Sequence, residues 1–299
     1  MRRLLPLVLL ASLPLSAATF QSGDGVTLHY EVVGKGEPVV LLSGGPGFSP
    51  EYLRPIAERL GKQYAAVLFH QRGTGKSRLE KYDGEVLDFK KLTSDLDALR
   101  RELKREKLTL VGHSFGGILS MMYAREHPDR INALALIDSG GPTLSAVPKF
   151  NTNLEARFSV DEKARIKEWS APERMKADRK RAVLEITKAK TAAYFADRSK
   201  SALLTGPMNE ESFNDAVFWG VVMQMMALDL RAGLEKVKAP VLVMHGKQDP
   251  LESAAEVHAT FPGSRLVLID DAGHFPWLEK PAEVYGPLEA FLAAAHDCH

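Results

Sequence analysis

Seven short apolar runs rich in β-branched residues punctuate the chain. They are Val26 to Val33, Pro38 to Gly44, Ala65 to His70, Leu108 to Ser114, Ile131 to Asp138, Pro240 to Gly246 and Ser264 to Asp270. Several, such as PVVLLSG and LTLVGHS, are continuous rather than alternating. That is the pattern of a strand buried on both faces of a parallel sheet. Between the runs lie amphipathic helical patterns at Leu87 to Arg105, Phe115 to His127, Ser253 to Thr260 and Pro281 to Ala295. Strand and helix in alternation predict an α/β fold, a mostly parallel central sheet with helices on both faces.

One segment breaks the alternation. Residues 139–238 hold no convincing buried strand and carry charged helical patterns such as VDEKARIKEW, then the apolar stretch FNDAVFWGVVMQMMALDL. They read as a helical insertion between two sheet strands, leaving residues 19–138 and 239–299 as the core. Within the insertion Arg179 to Arg181 read as a solvated helix face, since Asp178 and Glu185 interrupt the basic run.

The opening MRRLLPLVLLASLPLSAATF has a basic start, an apolar run and small residues at Ser16 to Ala18, the layout of a signal peptide over residues 1–18 with cleavage at Ala18–Thr19. The apolar run is short of the roughly 20 residues a membrane span needs. The expectation is an exported chain, periplasmic or secreted, with no membrane span after cleavage. Without Arg2 and Arg3 the chain has 37 basic residues against 38 acidic ones, which gives no footprint for a nucleic-acid partner. The single cysteine, Cys298, rules out an intramolecular disulfide. Oligomeric state is not readable.

The strongest chemical signal is LTLVGHSFGGILSMMYAREHP. A buried run enters Gly112-His113-Ser114-Phe115-Gly116 and a helix follows at once. This is G-x-S-x-G at a strand-to-helix turn, which lifts the Ser114 hydroxyl above the sheet edge. A serine hydroxyl is a weak nucleophile and needs a base that a third group orients. Chain order points to Asp249, just past one strand, and His274, in the loop after the next. Asp138 ends an earlier strand and competes with Asp249 as the acid. His113 and His245 read as buried packing or hydrogen-bonding residues. Asp270 and Asp271 read as turn residues before Gly273. The Gly44-Gly45-Pro46-Gly47 turn can aim a backbone donor into the site, so the expected oxyanion donors are the N–H groups of Gly45 and Phe115. No cofactor or metal is expected.

The stretch FHQRGTGKS competes with that reading, because Gly73 to Ser77 resembles the end of a phosphate-binding loop. The full loop needs Gly where His70 stands and a helix where the turn-rich RLEKYDGEV follows. Arg72 and the glycines then shape the floor of the serine site, and Lys76 is left solvated.

Taken together, these motifs resemble the α/β-hydrolase superfamily, in its proline iminopeptidase branch. In that branch the oxyanion loop reads H-G-G-P-G, and here Ser43 replaces the His. The loop D-Q-R-G-x-G-x-S matches His70 to Ser77 except at His70. Phe115 stands where the peptidases carry Trp, and AGHFPWLEKP resembles the catalytic-histidine loop of many hydrolases, including esterases and C–C bond hydrolases. The resemblance implies that the insertion is a cap over the site. Phe213, Phe218, Trp219, Met223, Met225 and Met226 then either wall an apolar pocket or pack the cap on itself. Glu210, Glu211 and Asp215 are candidates to hold a substrate ammonium group. The expected function is a serine hydrolase cleaving ester or amide bonds of small molecules or short peptides, with an aminopeptidase of the proline iminopeptidase type as one form of it and peptide against ester substrates left open. The alternatives are a carboxylesterase or lactonase, a C–C bond hydrolase, and a non-catalytic binding protein of the same fold.

Overall fold

The computed structural model describes residues 15–226 and 228–297, so most of the expected signal peptide and Cys298 lie outside the described residues. One eight-stranded sheet is formed, in the order β1-β2-β4-β3-β5-β6-β7-β8. The strands are β1 (Leu15–Gln21), β2 (Thr27–Val33), β3 (Pro38–Leu42), β4 (Ala65–His70), β5 (Leu108–His113), β6 (Ile131–Ile137), β7 (Val241–Gly246) and β8 (Arg265–Ile269). From β4 across to β8 every pairing is parallel, and β1 and β2 run antiparallel at one edge.

The continuous apolar runs have a direct explanation. Along β3, Val40 and Leu42 pack into one core and Val39 and Leu41 into another on the opposite face. The first core is covered by α2 (Phe89–Glu102), α3 (Phe115–Glu126) and α11 (Ala254–Thr260), and the second by α1 (Arg54–Leu60) and α13 (Pro281–Asp297). A strand with both faces covered has no polar position to alternate with.

Strand β1 departs from the sequence reading. Its first residues are the small ones of the expected cleavage site, and they pair with β2 from Leu15↔Val33 to Ala18↔Tyr30. Leu15 to Ala17 are exposed; the buried apolar residue of the strand is Phe20, against Tyr30 and Phe69. The expected bond Ala18–Thr19 therefore falls inside this edge strand, before its anchor.

Between β6 and β7 the chain builds a helical cap. It contains α4 (Val147–Arg157), α5 (Val160–Trp169), α6 (Pro172–Ala177), α7 (Arg179–Thr191), α8 (Ala202–Thr205), α9 (Asp215–Met225) and α10 (Arg231–Leu234). The basic run at the start of α7 is tied down rather than simply solvated. Arg179 pairs with Asp215, Lys180 with Glu211 at 2.8 Å, and Arg181 with the buried Glu185 at 2.6 Å.

The loop after β4 uses its polar groups on itself. The Ser77 hydroxyl donates to the His70 carbonyl at 2.6 Å and accepts the His29 N–H at 2.9 Å, and the Gly73 N–H goes to the Ser77 carbonyl at 2.7 Å. This is no phosphate cradle, and α2 opens only at Phe89, twelve residues past Ser77. Two expectations are corrected here. Lys76 is not simply solvated, since its ammonium pairs with the buried Glu31. Arg72 is fully buried and bridges outward, to Asp95 on α2 and to Asp24 in the β1–β2 turn.

Candidate active site

Strand β5 is buried along its whole length and α3 begins two residues after it ends, so Ser114 alone makes the turn. Its backbone sits at φ 56° and ψ −120°, a region an L-residue enters at a cost of about 1–3 kcal/mol. The glycines on either side are required by close approach. A Cβ at Gly112 would lie 2.5 Å from the Gly116 carbonyl oxygen, and one at Gly116 would lie 2.1 Å from that of Leu42.

Asp249 lies in the turn after β7 and His274 in the loop after β8, both buried. His274 Nδ1–H donates to Asp249 Oδ2 at 2.7 Å, and the Leu251 N–H donates to Asp249 Oδ1 at 2.8 Å. A ring that donates through Nδ1 keeps its lone pair on Nε2. Burial pushes the Asp249 carboxyl up and the His274 imidazole down, so the imidazole rests neutral. The ring of His113, the residue before Ser114, lies 4.6 Å from the His274 ring, centroid to centroid. No hydrogen bond joins the Ser114 hydroxyl to His274 among the described residues.

The loop after β3 presses against the serine: a Cβ at Gly44 would come within 2.7 Å of Ser114 Cβ. Among the described residues no hydrogen bond takes up the N–H of Gly45 or of Phe115. The loop is clamped by Ser43, whose hydroxyl donates to the Phe48 carbonyl at 2.7 Å, and by Gln71, which donates to the Ser43 carbonyl at 2.8 Å.

A relay links this loop to the His274 loop. His113 Nε2 lies 2.8 Å from the His274 carbonyl oxygen. A carbonyl only accepts, so Nε2 carries the hydrogen and Nδ1 the lone pair. The Tyr52 hydroxyl therefore donates to His113 Nδ1 at 2.7 Å, and its oxygen accepts the Gly44 N–H at 2.6 Å. Burial, and next to it His274, keep His113 neutral, while burial keeps the Tyr52 phenol protonated. Tyr52→Phe strands two buried polar groups at once and should cost about 1–3 kcal/mol in urea unfolding. A loss below about 0.5 kcal/mol would show that the relay carries no weight.

Comparison with known proteins agrees with this architecture. Residues 39–286 match the family described as the alpha/beta hydrolase family. The chain belongs to that family. The hydrolase is 28% identical over 283 residues to a proline iminopeptidase of Saccharolobus solfataricus, covering 86% of each chain. It is 35% identical over 122 residues to a cis-3-alkyl-4-alkyloxetan-2-one decarboxylase of Shewanella oneidensis, which is 40% of this chain and 38% of that one. In fold it resembles an esterase of Exiguobacterium antarcticum, with a TM-score of 0.69, 24% identity and coverage of 92% of this chain and 98% of the other.

The remaining candidate residues lie in or near the cap. A cavity of about 930 Å³ opens between the cap and the β2–β4 side of the sheet, with Phe48, Tyr52, His70, Met208 and Glu211 among its walls. Neither Ser114 nor His274 is among them. The Phe213 ring is tilted against that of Phe48 in the loop after β3, centroids 4.7 Å apart, and its centroid lies 5.9 Å from that of Phe218. Trp219 and Met223 on α9 and Met226 just past its end are instead exposed, at 57%, 70% and 74%, and none of them lines that cavity; Met225 is buried in the core. Residues four and seven apart on a helix share a face, and here that face points outward. Glu211 is held by Lys180 and Arg78, Asp215 by Arg179, and Glu210 is exposed. His70 sits in the cavity wall, its Nδ1 accepting the Lys76 N–H at 3.2 Å and its Nε2 3.8 Å from Glu31. Burial pulls its imidazole down to about 4.

Two supports of the hydrolase had no sequence signal. Buried Glu279 accepts the Gly273 N–H at 2.7 Å through one oxygen and the Asp197 N–H of the cap at 2.8 Å through the other. The Tyr194 carbonyl, also in the cap, accepts the His274 N–H at 2.8 Å. In the sequence Glu279 is only an acidic residue five positions past His274, and nothing local points to a partner 82 positions away.

Proposed function

We propose that this hydrolase works by acyl transfer, with Ser114 as nucleophile, His274 as general base and Asp249 as its orienting carboxylate. The observation that carries this reading is the strained Ser114 turn, set beside a buried Asp249–His274 pair whose tautomer leaves Nε2 free to take a proton. Ser114 Oγ attacks the carbonyl carbon while His274 Nε2 takes the hydroxyl proton. Asp249 retains the Nδ1–H and stabilises the imidazolium. The N–H groups of Gly45 and Phe115 receive the oxyanion. His274 passes its proton to the leaving oxygen or nitrogen, and water, activated by the same imidazole, releases the acyl group from Ser114. The contact between Ser114 and His274 tightens once substrate is bound, as such contacts do.

Small esters are favoured over N-terminal peptides as substrates. An aminopeptidase needs a free carboxylate beside the pocket for the substrate ammonium; the cap carboxylates Glu211 and Asp215 are already paired, and the exposed Glu210 does not line the cavity. The peptidase reading rests on the proline iminopeptidase relative. A fluorophosphonate should label the folded protein at Ser114, and short-chain aryl esters should turn over faster than proline or alanine anilides. Absence of labelling would overturn the acyl-transfer reading; anilide turnover exceeding ester turnover would overturn the choice of substrate. Export is proposed from the first eighteen residues alone, and cell fractionation of the full chain would test it.

A further inference from the structure

We propose that Asp138 is a protonated positioning residue that donates a hydrogen bond to Asp249, so that two carboxyl groups holding one proton orient His274. This inference rests on the acyl-transfer reading for its consequence, though not for its structural content.

Asp138 ends β6 with its backbone at φ 43° and no exposed surface. Its Oδ1 accepts the Gly246 N–H at 2.9 Å. Its Oδ2 is buried with no partner among the described residues. Yet the Asp249 carboxylate is beside it: single ligand atoms of Asp138, His245 and Asp249 all lie within 4.8 Å of one another. Two carboxylates cannot both ionise in such a place, and one proton between them removes the conflict. Asp249 already receives two donors, from His274 and Leu251, and donors favour the charged form. Asp138 receives one and is wholly buried. The proton therefore belongs on Asp138 Oδ2, where it supplies the missing hydrogen bond. Burial, acting first, pushes the Asp138 carboxyl well above the usual range, in the same direction.

The other groups facing the pair are His245 of β7, His274, Arg157 at the end of α4 and Tyr194 of the cap. His245 Nε2 donates to the Leu251 carbonyl at 2.7 Å, and its Nδ1 lies 3.6 Å from Asp138 Oδ1. An imidazolium there is the competing home for the proton.

The test compares wild type with Asp138→Asn, Asp138→Ala and Asp249→Asn, checking each fold by thermal melt. In the infrared difference between wild type and Asp138→Asn at neutral pH, the C=O band of a neutral carboxylic acid should belong to the wild type. A carboxylate band in its place puts the proton on His245 and overturns the proposal. On an aryl ester, Asp138→Ala should lower kcat/KM about 10- to 100-fold. It should also move the acid limb of the pH profile to higher pH, because an Asp249 without its donor stabilises the imidazolium more. Asp138→Asn, which keeps a donor, should recover most of the loss and return the limb. A fall in Asp138→Asn as deep as in Asp249→Asn would make Asp138 an ionised acid and overturn the proposal. So would an Asp138→Ala enzyme with a lower melting temperature and an unmoved pH profile. The infrared band needs no turnover, so it remains decisive even if the wild type cleaves no ester.

Discussion

Ser114→Gly should yield a protein that is more stable than wild type and inactive. Without the hydroxyl, hydrolysis should fall by about 10⁴- to 10⁶-fold, the range seen when the nucleophile of such a unit is removed. Stability should move the other way. The serine backbone at φ 56° and ψ −120° stores about 1–3 kcal/mol, which glycine does not incur. Glycine's extra freedom in the unfolded chain returns about 0.5–1 kcal/mol of that gain. The net is about 1 kcal/mol, a rise of roughly 2 °C or more in the melting temperature for a domain of this size. Ser114→Ala is the control. It should be as inactive but gain nothing, since its Cβ suffers the same strain. Equal melting temperatures for the two variants would sink the argument that the turn is strained.

The second large effect lies in the loop after β4. Arg72 is 1% exposed and donates twice to Asp95 and twice to Asp24. Asp24 is partly exposed, so water can replace its share. Asp95 is 1% exposed and has no such recourse. Arg72→Met should cost about 3–5 kcal/mol in urea unfolding at neutral pH, the penalty for leaving a buried charge unpaired. The pH dependence has a definite sign. Burial pushes the Asp95 carboxyl up to about 6 even with Arg72 beside it. Without Arg72 it rises further, so acid neutralises the orphaned group in the folded state before the unfolded one. The deficit should therefore shrink as the pH falls towards about 6 and level off below it, where the wild-type carboxyl is neutralised as well. A deficit independent of pH would mean that lost packing, not the Asp95 charge, sets the cost.

Much of this molecule is legible in its sequence for a plain reason. Strands β2 to β8 lie in a sheet mostly covered on both faces, so several appear as unbroken apolar runs. The serine turn is equally visible, because Gly112 and Gly116 are demanded by backbone atoms that approach too closely for any Cβ. Strand β1 is hidden, since LSAATFQ is mostly exposed and shares its small residues with the end of a leader. Tyr52 and Glu279 are hidden differently. Each acts on partners far along the chain, Tyr52 on His113 and Glu279 on Asp197. No local pattern encodes such a meeting. Helical spacing tells that Trp219 and Met223 share a side, not which way that side faces.

Glu279 has a mechanical implication. With one carboxylate oxygen on the backbone beside the base and the other on the cap at Asp197, it works as a rivet through two parts. Those parts cannot separate without leaving a buried carboxylate short of a donor. If substrate enters by a swing of the cap, the axis of that swing must pass near residues 194–197. The door is hung on the post that also holds the histidine, so opening it need not loosen the catalytic geometry.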